Sequence, residues 1–193
     1  MVAFQNGQGF GRHVSLSESQ EASLVMFTVG SRVVHPCYGA GIVVRIQEKS
    51  IGDSIHAYYV IDTVSRPMQL MVPVDRAIDV NLRPVGDPDD LRSCLEICAE
   101  PPHDDEINKD LRARQAVMRD QLKSGVFGDI VAIARLLYYM NSKRPLGTID
   151  RQLFDQGKDF IAGELALATE LQIEQARQEV ENILMEMLKT DPA

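Results

Sequence analysis

Apolar and polar residues alternate in two different ways along the chain, and the change falls near residue 86. Residues 26–86 contain short apolar runs rich in β-branched side chains, separated by Gly, Pro and Asp at intervals of roughly ten residues, as in small β proteins. The predicted strands are Phe27–Val34, Ile42–Gln47, Ala57–Thr63 and Met68–Val72. Turns are predicted at the cluster His35–Gly41 and around Gly52. A small barrel or sandwich is therefore expected here.

Residues 87–190 show apolar side chains at the three- and four-residue spacing of amphipathic helices. Asp87 can cap the first helix and Pro88 fits its first turn, while Pro101 ends it. The other predicted helices run from Asp105 to about Lys123, over Asp129–Met140, from a cap at Thr148 to Thr169, and over Glu174–Lys189. We expect an α+β multidomain protein, with a small β domain at residues 26–86 and an all-helical domain at residues 87–190.

The first 25 residues differ from both of these parts. They are rich in Gly, Ser and Gln and contain no apolar run of the kind found in a secretory signal. We expect residues 1–25 to be a flexible extension, with a start of translation at Met26 as the alternative. The lack of a signal indicates a cytoplasmic protein, and no apolar run reaches the roughly 18 residues that a membrane span requires.

The charge of the whole chain hides an uneven distribution. With 20 basic and 28 acidic side chains the formal net charge is −8. Between Ile107 and Pro145, however, eight basic residues stand against three acidic ones, and after Pro145 four basic residues stand against ten acidic ones. A basic stretch of helix suits contact with phosphates. A solvated surface whose halves neutralise each other is the alternative explanation of the same composition.

The sequence lacks the patterns associated with catalysis or with bound cofactors. It contains no GxGxxG fingerprint in a strand–helix context, no GxxxxGK[ST] loop, no GxSxG and no HExxH. Cys37, Cys94 and Cys98 are too few for a disulfide framework and lack zinc-site spacing, so we expect them to be reduced and buried. We therefore predict no enzyme activity, no catalytic residue, no metal and no cofactor.

Five segments, in one order along the chain, resemble the CarD-like family of bacterial transcription regulators. They are Phe27–Gly41, Met71–Ala77, Val80–Val85, Leu122–Val131 and Gly163–Ala168. The resemblance implies an N-terminal Tudor-like or SH3-like β domain that binds the β subunit of RNA polymerase. It also implies a helical domain that lies against promoter DNA at the upstream edge of the transcription bubble. Members of the family stabilise the open promoter complex and are not enzymes.

The resemblance also implies which residues of the β domain meet the polymerase. The family's contacts lie on two neighbouring strand segments, which correspond here to Arg45–Ile51 and Gln69–Val72. The predicted contact residues are Arg45, Lys49, Ile51, Gln69 and Met71. Met71 stands where some members carry Arg, and the role of an ordinary strand residue is an equal alternative for it.

Contact with DNA is implied for Leu111, Arg112, Arg114 and Arg151. Family members carry a tryptophan in an Asn/Asp-Trp-x-x-Arg motif, which acts as a wedge at the minor groove. The corresponding segment here is Asp110–Arg114, and the chain contains no Trp. Leu111 takes the place of the indole and loses an aromatic surface worth roughly 1–3 kcal/mol per base in single-strand binders. Packing in the core is the alternative role of Leu111.

Three functions are weighed on this basis. The first is a monomeric regulator that binds RNA polymerase and promoter DNA and modulates open-complex stability. The second is an adaptor that docks on the polymerase and recruits another protein without touching DNA, which the missing tryptophan would permit. The third is a dimeric structural protein that uses its acidic C-terminal helices.

Overall fold

The computed structural model describes residues 27–51, 54–103, 107 and 110–190 of the chain. The predicted extension at residues 1–25, the turn at Gly52 and the acidic run Asp104–Glu106 lie outside the described residues. Within them, an antiparallel sheet comes first and helices follow, as the hydrophobic patterns predict. None of the helices so described is long and apolar enough to cross a membrane.

The described residues of the β domain form one sheet of five antiparallel strands. The strands are β1 (Arg32–His35), β2 (Gly39–Ile51), β3 (Ser54–Thr63), β4 (Gln69–Pro73) and β5 (Arg83–Pro84), in the spatial order β4-β3-β2-β1-β5. One face of the sheet buries Val33, Val43, Tyr59, Ile61 and Val72. Tyr59 packs edge-on against Phe27, and its hydroxyl accepts a hydrogen bond from the Phe27 amide at 3.1 Å. Alternation therefore puts Tyr59, and not its neighbour Tyr58, in the core.

The first two strands differ in length from the prediction. β1 begins at Arg32 and not at Phe27, because Thr28–Ser31 form a turn in which Gly30 has a φ of 91°. β2 is longer than Ile42–Gln47, because its polar end continues to pair with β3 up to the register Ile51 opposite Ser54. A register shift between Val43 and Arg45 marks a bulge in β2.

Five α-helices occur in the described residues of the helical domain. They are α1 (Pro88–Leu95), α2 (Leu111–Ser124), α3 (Phe127–Lys143), α4 (Thr148–Thr169) and α5 (Ile173–Lys189), and a 3-10 turn at Glu96–Ala99 follows α1. The Asp87 side chain accepts a hydrogen bond from the Asp89 amide and so caps α1 as predicted. α4 runs through the middle of the domain, and Phe154, Ile161 and Leu165 lie in its core.

Some helix boundaries and the burial of two cysteines differ from the prediction. α2 begins at Leu111 and not at Asp105, because the Asp110 side chain caps it by accepting from the amides of Arg112 and Ala113. The residue before α4 is Gly147, so Thr148 is the first residue of the helix and not its cap. Among the cysteines only Cys98 is buried; Cys37 is exposed in the turn between β1 and β2, and Cys94 is intermediate.

The two domains share an extensive interface that centres on α4. Val34 and Ala40 of the sheet pack against Leu167 of α4. Beside them the buried carboxylate of Glu164 accepts hydrogen bonds from the Arg83 guanidinium at 2.5 and 2.8 Å and from the Gly86 amide at 3.1 Å. The β domain and the helical domain are therefore joined by packing and by a buried ion pair.

Candidate functional site

Four of the residues predicted to meet the polymerase share one face of the sheet. In the register of the ladder, Arg45 lies opposite Val60, and Val60 lies opposite Met71. Directly paired residues point to the same side of a sheet, as do residues two or four positions apart on one strand. Lys49 is therefore on the face of Arg45, and Gln69 is on the face of Met71. The fifth residue, Ile51, is the last residue of β2.

Side-chain contacts link these residues in pairs across the sheet. An Nη of Arg45 donates to Oε1 of Gln69 at 3.2 Å, and the Gln69 amide donates to Asp62 at 2.7 Å. Lys49 Nζ lies 3.3 Å from the Met71 sulfur. Arg45, Lys49, Gln69 and Met71 are all exposed. We call this set the strand face.

The strand face ends at an edge of the sheet. Among the described residues β4 pairs with β3 alone, so the backbone groups along its outer side are not used in a ladder. An unpaired edge beside an exposed apolar side chain is the arrangement that accepts an additional strand from a partner protein. Here that side chain is Met71, which is 37% exposed.

Leu111 lies at the exposed end of an otherwise buried stripe. The buried side chains of α2 include Gln115, Met118 and Leu122, and Leu111 continues their line at the helix N-terminus. Yet Leu111 is 52% exposed, so the stripe extends beyond the core. Packing in the core, the alternative role for Leu111, therefore does not account for its position.

A row of basic side chains runs along the flank of the same helix. Arg112, Arg119 and Lys123 are separated by seven and four residues, a spacing that puts them on one face. All three are exposed, and no described acidic residue forms an ion pair with any of them. Arg112 is among the predicted DNA contacts, whereas Arg119 and Lys123 were counted in the basic stretch but not singled out as contacts. Their helical spacing from Arg112 is the signal that could have identified them.

A cleft of about 580 Å³ opens between the first turns of α2 and α4. Leu111 borders it on the side of α2, and Ile149 and Arg144 border it on the other side. Ile149 is 40% exposed. A second cleft of about 310 Å³ continues from Ile149 past Arg119 and Lys123 to Pro36 and Cys37 of the β domain. We call Leu111, the basic row and these two clefts the helical face. Ile149 and Arg144 were not predicted from the sequence.

Arg151 and Arg114 differ in their accessibility. Arg151 is exposed, and its guanidinium donates to the Asn141 side chain at 2.7 Å. Arg114 is buried and forms an ion pair of 2.9 Å with Asp150. A direct contact between Arg114 and DNA would require this pair to open. Arg135, another of the basic residues counted in this stretch, is also buried, and it donates to the carbonyl groups of Glu100 and Pro101.

Burial shifts the pKa of a histidine and of a cysteine among the described residues. No cluster of three or more His, Cys, Asp and Glu that could hold a metal ion occurs in the described part of the chain. Burial lowers the pKa of His35, whose Nδ1 accepts a hydrogen bond from the Cys37 amide at 3.1 Å. Burial also raises the pKa of Cys98 to about 11, which keeps that thiol protonated.

Comparison with known proteins identifies the kind of protein to which these surfaces belong. Residues 27–86 match the family described as the CarD-like/TRCF RID domain, and residues 94–181 match the C-terminal domain of CarD. A relative is the transcription-factor candidate YdeB of Bacillus subtilis (strain 168), which is 28% identical over 140 residues. That match covers 72% of this chain and 90% of the relative.

A protein built from this pair of domains belongs to the CarD-like family, and the chain is a member of it. The family and the relative give the chain a role in transcription that involves interaction with RNA polymerase. The resemblance carried by the five sequence segments is thereby confirmed.

Proposed function

We propose that this protein is a transcription regulator that binds the β subunit of RNA polymerase and contacts promoter DNA near the upstream edge of the bubble, modulating the stability of the open complex. The observation that carries the proposal is the exposed row Arg112, Arg119 and Lys123 beside exposed Leu111. A chain with a net charge of −8 has here a local surface suited to phosphates. Such a regulator acts in the cytoplasm, as a monomer.

The strand face is the proposed docking surface for the β subunit. An incoming strand would pair with the free edge of β4, and main-chain hydrogen bonds would supply affinity. Lys49 and Arg45 would contribute charge, and Met71 would contribute apolar area. These three side chains lie on the side of the ladder opposite the buried face that contains Tyr59 and Ile61.

The helical face is the proposed DNA surface. Arg112, Arg119 and Lys123 would contact phosphates, and Arg144 and Arg151 would extend the contact past the cleft. Leu111 would act as an apolar wedge at the distorted minor groove, as aliphatic side chains do in architectural proteins. Because phosphate contacts release counterions, each one adds about 0.9 to the slope of log Kd against log salt concentration.

Replacement of Leu111 tests the DNA part of the proposal. Binding of forked promoter DNA is measured by fluorescence anisotropy, with and without polymerase holoenzyme. Leu111→Ala is expected to weaken binding roughly tenfold, and Leu111→Trp to strengthen it at least about fivefold, since an aromatic ring adds stacking surface. Val117→Ala is the matched control, because Val117 is also exposed on α2 but lies on another side of the helix. Equal effects of the two alanine variants would contradict the wedge.

A charge reversal tests the polymerase part. Lys49→Glu is expected to weaken binding of the full chain to the purified β subunit while DNA binding stays unchanged. Glu48→Lys is the control, because Glu48 is the exposed neighbour of Lys49 and points to the other side of the sheet. Unchanged affinity in Lys49→Glu would remove the strand face from the interface.

A polymerase-docking adaptor without DNA contact is the second candidate function. It is favoured by one observation, the leucine at position 111 where the family's wedge is an aromatic residue. In that case polymerase binding would occur without a DNA footprint, and the variants at Leu111 would have no effect on open-complex lifetime.

A further inference from the structure

A buried polar network joins the first turns of α2 and α4. Both carboxylate oxygens of Asp150 are used: Oδ2 accepts from the Arg114 guanidinium at 2.9 Å, and Oδ1 accepts from the Gln115 side-chain amide at 2.7 Å. The side chains of Arg114 and Asp150 are 9% and 6% exposed. Asp150 lies in the first turn of α4, and both of its partners follow closely after Leu111 at the start of α2.

The charges in this network depend on each other. Arg114 is close to the N-terminus of α2, where the helix dipole disfavours a cation and where the Asp110 carboxylate caps the helix. Asp150 lies at the N-terminus of α4, where the dipole favours an anion. A buried pair of this kind adds little net stability compared with apolar residues, but removal of one partner is strongly destabilising. Its main effect is to fix the two helix ends relative to each other.

The network borders the cleft that Leu111 and Ile149 both line. Arg114, Gln115 and Asp150 line the same cleft as these two exposed apolar side chains. We propose that Asp150, by holding Arg114 and Gln115, positions Leu111 opposite Ile149 so that the two together form the apolar contact to DNA, and that Arg114 acts through this positioning and not by touching a phosphate. This inference rests on the proposed DNA-binding function and describes how Leu111, the proposed wedge, is held in place.

The effect of neutralising Asp150 on DNA affinity distinguishes a positioning role of Asp150 from a purely electrostatic one. If Asp150 were only a negative charge near the DNA, its neutralisation would tighten binding. If Asp150 positions the wedge, Asp150→Asn weakens binding although it removes a repulsive charge. In the same way, loss of a phosphate contact lowers the salt slope by about 0.9, whereas loss of positioning lowers the affinity at every salt concentration and leaves the slope unchanged.

The test compares Kd for forked promoter DNA over a range of salt concentrations in four full-length variants. Arg112→Gln, the exposed control two residues from Arg114, is expected to lose about 0.9 of the slope. Arg114→Gln and Asp150→Asn are expected to bind roughly tenfold more weakly with the slope of the wild type. Gln175→Ala removes the side-chain oxygen that accepts from the Gln172 amide at 3.1 Å, which weakens the start of α5 away from the cleft, and this variant is expected to keep the wild-type affinity. A lower slope in Arg114→Gln, or tighter binding by Asp150→Asn, overturns the proposal.

A second measurement needs no DNA. Amide hydrogen exchange is measured in Asp150→Asn and in the double variant Arg114→Gln/Asp150→Asn. The double variant replaces Arg114→Gln if that single variant does not fold. Exchange at Arg112, Ala113 and Arg151, the amides of the two first turns, is expected to become faster, while the amides of α5 stay at the wild-type rate. Unchanged exchange in both first turns overturns the positioning role. If the wild type binds no DNA, the proposed function fails, and the exchange result still decides whether the network holds these turns.

Discussion

Replacement of Glu164 by glutamine would measure how strongly the two domains are held together. Glu164 is 2% exposed and accepts three hydrogen bonds, two from Arg83 and one from the Gly86 amide. The amide of glutamine has nearly the same shape, but it carries no charge and offers one acceptor. Its NH₂ group would face an Nη donor of Arg83, so at least one of the two Arg83 bonds is lost.

The expected cost follows from these contacts. Removal of one partner of a buried ion pair costs about 3–5 kcal/mol, and loss of one hydrogen bond to a charged group costs about 1.5–3 kcal/mol. Arg83 is 32% exposed, so water can solvate part of the guanidinium that is released. We therefore expect the free energy of unfolding to fall by about 2–3 kcal/mol, or Tm by roughly 4–12 °C for a chain of this size.

The assay is urea denaturation with thermal melting, and Glu170→Gln is the control. Glu170 also pairs with an arginine of the β domain, Arg32 at 2.6 Å, but these side chains are 73% and 42% exposed. An exposed pair contributes about 0–1 kcal/mol. Equal losses in the two variants, or no loss in Glu164→Gln, would refute the conclusion that burial makes the Arg83–Glu164 pair the stronger link.

Three further predictions concern other parts of the molecule. Gly163→Ala should lower the free energy of unfolding by about 1–3 kcal/mol, because the new Cβ would clash with the Ser65 hydroxyl oxygen. Adding Ser65→Gly should restore part of this free energy in the double variant. If it restores none, the clash lies elsewhere. Because the pKa of His35 is lowered by burial, the unfolded chain binds the proton more readily, so the free energy of unfolding should fall as the pH drops from 6.5 through the lowered pKa. Urea denaturation at several pH values should show a weaker dependence in His35→Gln, and an unchanged dependence would exclude His35 as its source. Cys37 should react quickly with a thiol reagent in the native protein, whereas Cys98, which is buried with a raised pKa, should react only on unfolding. Rapid native labelling of Cys98, located by mass spectrometry, would contradict this assignment.

Local patterns were enough to predict most of the elements. The strands follow alternation of apolar residues, and the helices follow apolar spacing together with caps such as Asp87 and breaks such as Gly125, which ends α2 with a φ of 71°. Errors occur where one capping side chain decides a boundary. The carboxylate of Asp110 begins α2, and a carboxylate five positions earlier has the same appearance in the sequence.

The candidate site could be predicted only where local patterns, such as helix spacing or strand pairing, decide which way a side chain points. Leu111 and Arg112 are exposed as a surface role requires, and Arg45 and Met71 are brought to one face by strand pairing. The burial of Arg114 could not be predicted, because its partner Asp150 is 36 residues away and belongs to a different helix. The sequence therefore counts Arg114 as a surface charge, although its guanidinium is buried in an ion pair with Asp150.

The motifs that carry the family resemblance gain a physical explanation from the domain interface. Arg83 belongs to one of the five segments, Gly163 and Glu164 belong to another, and the three residues meet where α4 packs against the β domain. In this chain these contacts join the two domains and so set the arrangement between the strand face and the helical face. Two of the residues proposed to touch the partners, Met71 and Leu111, differ from the side chains that the family resemblance implies at those positions. Changes in affinity for DNA are therefore expected to arise from the side chain at position 111 within an unchanged arrangement of the domains, which is why Leu111→Trp is expected to increase DNA affinity without any further substitution.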